Sequence, residues 1–187
     1  MDLDLLRSTA ATCDLCNLHE GRLNPVFDKG NPKASIFICG MVPAKDENAA
    51  GLPFVGRAGK LLDSILEKAD LNYDQVYITN LVKCFLAAGK SLKQEWIDAC
   101  FPYLISQISL LRPRLIITLG KDATAALMAE EPKSLAAVNG VMVNYSKDIG
   151  ILPTYHPSYL LRTGAQASPK FNEVVKHFQR ARNICYF

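Results

Sequence analysis

The chain has 187 residues, 49% of them hydrophobic and 21% charged, with a net charge of +3. This is ordinary globular composition for one domain spanning residues 1–187, large enough to bury a core without staples. No apolar run approaches a membrane span and the start Met1-Asp-Leu-Asp-Leu-Leu6 is not a signal peptide, so a cytoplasmic protein is expected; the weak basic charge does not by itself imply nucleic-acid binding.

In chain order, residues 2–11 fit a short helix leading into Cys13-x2-Cys16. Ala34–Gly40 is an apolar run closed by glycine and reads as a buried strand. Gly56–Ala69 sets Leu61, Leu62, Ile65, Leu66 and Ala69 at helical spacing, with Asp63, Glu67 and Lys68 off that face. Val76–Thr79 is a second strand, residues 92–111 a helix ending before Pro113, and Leu115–Leu119 a third strand followed by a helix over Lys121–Ala129. Val141–Tyr145 fits an edge strand or hairpin arm, Ile151–Tyr155 a fourth strand, and Phe171–Arg182 an amphipathic closing helix. Strands alternating with helices predict a three-layer α/β/α fold around a mainly parallel four-stranded sheet. In such folds ligands bind beyond the carboxyl ends of the strands. Those ends carry Gly40-Met41-Val42-Pro43-Ala44, Asn80, Gly120 and His156-Pro157.

Six cysteines in a cytoplasmic protein point to metal ligands and buried thiols rather than disulfides. Cys13, Cys16, Cys84 and Cys100 can supply four thiolates to one zinc ion or one iron–sulfur cluster, and spacing separates the two poorly. The fifteen residues between Cys84 and Cys100 do not fit a zinc ribbon. Cys39 reads as core, and Cys185 has no assigned role.

Gly51-Leu-Pro-Phe-Val-Gly-Arg-Ala-Gly-Lys60 resembles a phosphate loop at a glance, but Leu61 stands where a Walker motif needs Ser or Thr. Its glycines suit a helix N-terminus approaching a DNA phosphate, and Phe54 is either a base-stacking ring or a core contact. Asn80 can meet a donor and an acceptor on one base edge, although a lone Asn is more often a turn or cap residue. His156 stands at a strand end, where a structural hydrogen-bonding role is the commoner alternative to catalysis. Asp46 and Glu47 form an acidic pair after the first strand, able to hold a water near a reacting carbon or simply solvated. Arg57, Lys60, Lys83, Lys121 and Arg162 lie close to these loops and are candidate phosphate contacts.

Taken together, these blocks resemble the iron–sulfur (family 4) uracil-DNA glycosylases of the uracil-DNA glycosylase superfamily. The similarity rests on the four cysteines, Gly40-x-x-Pro43, Gly51-x-Pro-Phe-Val-Gly-x-Ala-Gly59, Thr79-Asn-x-Val-Lys-Cys84 and His156-Pro-Ser-x-Leu-Leu-Arg162. It implies a monofunctional DNA-repair glycosylase that hydrolyses the bond between uracil and deoxyribose and leaves an abasic site. Cys13, Cys16, Cys84 and Cys100 would hold a [4Fe–4S] cluster. Phe54 would stack on the extruded base, Asn80 would read its edge, and Gly40, Met41, Val42 and Ala44 would cradle it. His156 would stabilise the departing anion, with Glu47 and Asp46 as the acidic catalytic candidates. Arg57, Lys60, Lys83, Ser158, Tyr159, Leu160 and Arg162 would meet DNA, Tyr159 or Leu160 as a wedge. The expected partner is uracil-containing DNA, met by a monomer, with a replication or repair protein as a further partner. Many members carry Gly-Glu-x-Pro-Gly where this chain has Gly40-Met41-Val42-Pro43-Ala44. That departure keeps three alternatives in view: a non-catalytic uracil- or DNA-binding module, a glycosylase for another deaminated base, and a zinc protein of unrelated function.

Overall fold

A computed structural model describes residues 2–128 and 132–187. Helix α1 (Leu3–Ala11) starts at Asp2, whose carboxylate accepts the Leu5 N–H at 2.8 Å. The elements that follow are β1 (Lys29–Gly30), β2 (Ile36–Gly40), α2 (Lys45–Ala50), α3 (Arg57–Lys68), β3 (Val76–Asn80) and α4 (Gln94–Leu111). The chain continues through β4 (Leu115–Leu119), α5 (Lys121–Leu127), α6 (Leu135–Val138), β5 (Val143–Asn144), β6 (Gly150–Thr154), α7 (Pro157–Arg162) and α8 (Phe171–Tyr186).

The sheet order is β1-β3-β2-β4-β6-β5. The four strands read from the sequence are mutually parallel in the order β3-β2-β4-β6, and β1 and β5 add antiparallel edges. The sheet is therefore six-stranded rather than four-stranded. Each added strand is two residues long; β5 lies within the Val141–Tyr145 segment read as an edge strand or hairpin arm, whereas β1 is too short for any hydrophobic period to announce it. The predicted α5 end at Ala129 lies outside the described residues; the helix is defined to Leu127.

Alternation along the strands divides the core in two. Ile36, Ile38, Val76, Ile78, Leu115, Ile117 and Leu152 meet α3 and α8 on one face. Phe37, Cys39, Tyr77, Ile116 and Ile151 meet α1, α4 and α5 on the other. Leu61, Leu62, Ile65 and Leu66 are the buried stripe of α3, and each such side chain stabilises by about 1.5–3 kcal/mol. Because both faces are covered, the parallel strands are buried and mostly apolar, and all their carboxyl ends emerge together. No described helix is long and apolar enough to cross a membrane.

Candidate active site and thiol cavity

Four segments remote in sequence meet beyond the strand ends. A cavity of about 210 Å³ is lined by Met41, Val42, Pro43, Ala44, Glu47, Phe54, Ala58, Asn80, Leu86, His156 and Ser158. Its size suits one planar base better than the ~300–1,000 Å³ clefts of drug-sized ligands. The register Gly40↔Asn80 between β2 and β3 brings the first motif beside the Asn. Gly40 is required there: a Cβ would lie 2.4 Å from Asn80 Oδ1 and 2.5 Å from Phe54 Cζ. Asn80 is 3% exposed. Lys83 Nζ holds its backbone carbonyl at 2.6 Å, yet among the described residues its side-chain amide has no partner. The amide atoms are not among the fully enclosed unpaired ones, so they open onto the cavity.

His156 caps α7, and Pro157 at the first helical position pre-sets the turn. Its Nδ1 accepts the Ser158 N–H at 3.0 Å, so the neutral ring carries its proton on Nε2. Burial, reinforced by the positive Arg162 and opposed by Glu47, pulls the imidazole down to about 4. Phe54 and His156 face each other with ring centroids 5.8 Å apart at 32°. Gly120, at φ +91°, lets His156 approach: a Cβ there would lie 3.2 Å from that of the histidine.

Phe54 has φ +54°, an uncommon conformation for a residue with a side chain. Such strain costs on the order of 1–3 kcal/mol and persists only where surroundings over-determine it. Glu47, 7% exposed, is one of those surroundings. Its Oε1 accepts the N–H groups of Val55 (3.0 Å) and Gly56 (2.8 Å), and its Oε2 that of Ala44 (3.2 Å). Glu47 thus lines the cavity and ties the first motif to the Phe54 loop.

Three predicted positions are corrected. Asp46 is exposed on α2 and does not line the cavity, because the helix turns it outward while Glu47 points in. Lys83 is 2% exposed and spends its ammonium on Thr79 Oγ1 (2.7 Å), Asn80 O and Gln107 Oε1 (2.6 Å), so it cannot reach a phosphate. Leu160 is fully buried on the inner side of α7 and is no wedge. Tyr159, 36% exposed, takes the outer side, stacked on Tyr155 at 5.1 Å with the Arg162 guanidinium 6.0 Å from its ring. Ser158, Tyr159 and Arg162 line a second hollow that shares Met41, His156 and Ser158 with the first. Arg57 and Lys60 stand exposed at the start of α3, along a groove completed by Leu161 and residues 164–167. Sequence reading missed Ala58, Leu86 and Tyr155 as lining residues. Ala58 lay inside a quoted motif, whereas the other two carried no signal.

On the α1/α4 side, Cys13, Cys16, Cys84 and Cys100 line one cavity with His19, Arg22 and Tyr103. Burial pushes the Cys84 thiol up, Arg22 opposes this, and Cys16 and Cys13 push the same way as burial. Arg22 straps the ligand loops, donating to Ala11 O (3.0 Å), Cys13 O (3.1 Å) and Cys84 Sγ (3.7 Å). The Lys83 backbone N–H donates to Cys100 Sγ at 3.3 Å. Four thiols from three segments, two of them accepting N–H donors, line a cavity of about 20 Å³. Among the described residues no group of three or more His, Cys, Asp or Glu is placed to hold a metal ion.

Residues 27–179 match the family described as the uracil DNA glycosylase superfamily. The type-4 uracil-DNA glycosylase of Sulfurisphaera tokodaii is 38% identical over 190 residues, covering 97% of this chain and 84% of the relative. That of Pyrobaculum aerophilum is 38% identical over 171 residues, covering 88% and 87%. That of Saccharolobus solfataricus is 40% identical over 167 residues, covering 86% and 77%.

Proposed function

The chain belongs to the uracil DNA glycosylase superfamily, with type-4 relatives along most of its length, and from that premise we propose that it excises uracil from DNA by hydrolysing the N-glycosidic bond. The observation that carries the reading is that Asn80, whose amide has no hydrogen-bond partner among the described residues, lines one cavity with the Phe54 ring and a neutral His156. Uracil inside a duplex is out of reach, so the nucleotide must be extruded, at a cost of a few kcal/mol in unstacking. Arg57, Lys60 and Arg162 would hold the backbone, and Tyr159 would fill the space left in the stack. Asn80 Oδ1 would accept uracil N3–H while its NH2 donates to O4.

As the C1′–N1 bond lengthens, the pair of electrons moves onto the base and the sugar gains cationic character. His156 Nε2–H donates to the base oxygen O2, where negative charge grows only in the transition state, and that difference lowers the barrier. Water adds its oxygen to C1′, and its proton ends on the departing base. The lone pairs of Glu47 not used by backbone N–H groups are the polar acceptors beside that face. Met41 leaves this part of the wall apolar.

The thiol set supports a [4Fe–4S] cluster held by Cys13, Cys16, Cys84 and Cys100; when bound, such a cluster joins α1, the Cys84 loop and α4 as a cross-link. Iron and sulfide analysis of protein purified without oxygen should give a brown protein, and Cys84→Ser should lose colour and thermal stability together. A colourless protein carrying zinc would overturn the cluster assignment.

The deciding experiment is incubation with a uracil-containing oligonucleotide followed by alkali. Strand scission at uracil supports the enzyme; binding without scission would leave only a recognition module. Scission at hypoxanthine or xanthine in preference to uracil would reassign the base. Within the same assay, Asn80→Asp should weaken uracil excision by about 1–3 kcal/mol and raise the relative activity on cytosine, because a donor–donor clash is removed. Unchanged uracil excision would mean that Asn80 is not the reader.

A further inference from the structure

Phe54 needs more than the Glu47 carboxylate to stay where it is. Its carbonyl oxygen accepts a hydrogen bond from Lys29 Nζ at 2.9 Å. The same ammonium donates to Tyr73 Oη at 2.8 Å and sits 4.7 Å from the centre of that ring. Tyr73 in turn donates to Asp63 on α3. The chain Asp63–Tyr73–Lys29–Phe54 thus fixes an ammonium on one carbonyl from outside the pocket. Gly59 closes the same carbonyl from the helix side, since a Cβ there would lie 2.0 Å from Phe54 O. Left-handed backbone at a bulky residue relaxes unless it is held, and relaxation at Phe54 would swing its ring in the cavity.

We propose that Lys29 is a positioning residue for the base-stacking ring: aligned by Tyr73 and Asp63, it locks the Phe54 backbone and so sets the plane against which the base lies. This rests on the reading of Phe54 as the stacking ring. Lys29 touches no reacting atom and does not line the cavity; it acts through one carbonyl. The edge strand β1, two residues long, has the function of presenting it.

The test is a double-mutant cycle on single-turnover excision, with Lys29→Met and Phe54→Ala alone and combined. Lys29→Met should slow excision by about tenfold or more with KM within about twofold, because misplacement of a positioned group acts on the chemical step. In the Phe54→Ala background the same substitution should change the rate by less than about twofold, since no ring remains to be placed. Equal losses in both backgrounds, or none in the first, would overturn the proposal. Tyr73→Phe keeps the ammonium and β1 and should show the same non-additivity at smaller size; it carries the cycle if Lys29→Met melts early. A wild-type protein that does not cleave uracil DNA would instead overturn the reading of the pocket, which keeps the two failures apart.

Discussion

His156→Ala is expected to slow single-turnover uracil excision by about 10²–10³-fold, while affinity for uracil-containing DNA changes only a few-fold. Removing one donor aimed at developing negative charge typically costs ~3–4 kcal/mol in a site closed to water. The geometry explains why the loss should fall on chemistry. The ring is oriented by the Ser158 N–H on Nδ1, faces Phe54 and donates only through Nε2. A neutral imidazole is the useful form here, since it polarises O2 without first having to lose a proton. With its pKa lowered to about 4, mainly by burial, the ring stays neutral well below the ordinary histidine range. The acid limb of kcat/KM should therefore fall near pH 4, not near 6.5. Stability follows the same groups with a definite sign. Between about pH 4 and 6.5 the unfolded chain binds a proton at this position that the folded chain does not, so acidification through that window weakens the fold. His156→Ala should flatten that part of the stability profile. Parallel losses of binding and rate in the variant, or an activity limb at pH 6.5 in the wild type, would contradict this account.

Gly40→Ala is expected to cut kcat/KM on uracil DNA by about 10²-fold or more with a small change in melting temperature. The added methyl group would fall 2.4 Å from Asn80 Oδ1 and 2.5 Å from the Phe54 ring. Both neighbours are side-chain ends, so the protein can yield, at a cost of about 1–3 kcal/mol in overpacking. What yields, however, is the pair of groups that would read and stack the base, and displacements of about 1 Å can cost 10²-fold. Gly59→Ala makes the contrast, because there the clash is with the Phe54 backbone, which has nowhere to go. Excision at the wild-type rate by Gly40→Ala would show that the cavity has slack and that Asn80 and Phe54 are not held against a bound base.

Some of this molecule was legible residue by residue. The apolar runs of β2, β3, β4 and β6 are covered on both faces, so each announced itself in the chain. The stripes of α3 and α8 recur at helical spacing because each helix buries one side only. A fold rule then predicted that Gly40, Asn80, Gly120 and His156 would emerge at one edge, and the parallel registers bring them there. The edge strand β5 falls within Val141–Tyr145, read from the sequence as an edge strand or hairpin arm, whereas β1 and the short helices α2 and α7 carry too little period to be visible. Lys83 and Leu160 were misread because charge and position in a motif say nothing about which way a side chain faces.

The order of apolar and polar residues alone determined the layer architecture and the strand ends, because burial imposes a local period on the chain; the base-meeting roles came from the family resemblance of the motifs. Only the tertiary structure decided that the Asn80 amide has no hydrogen-bond partner among the described residues, that His156 is neutral with its proton on Nε2, and that the left-handed Phe54 accepts a hydrogen bond on its carbonyl from Lys29. Those are properties of neighbours brought together from distant parts of the chain: desolvation, hydrogen-bond competition and steric closure depend on three-dimensional proximity, which no local pattern encodes.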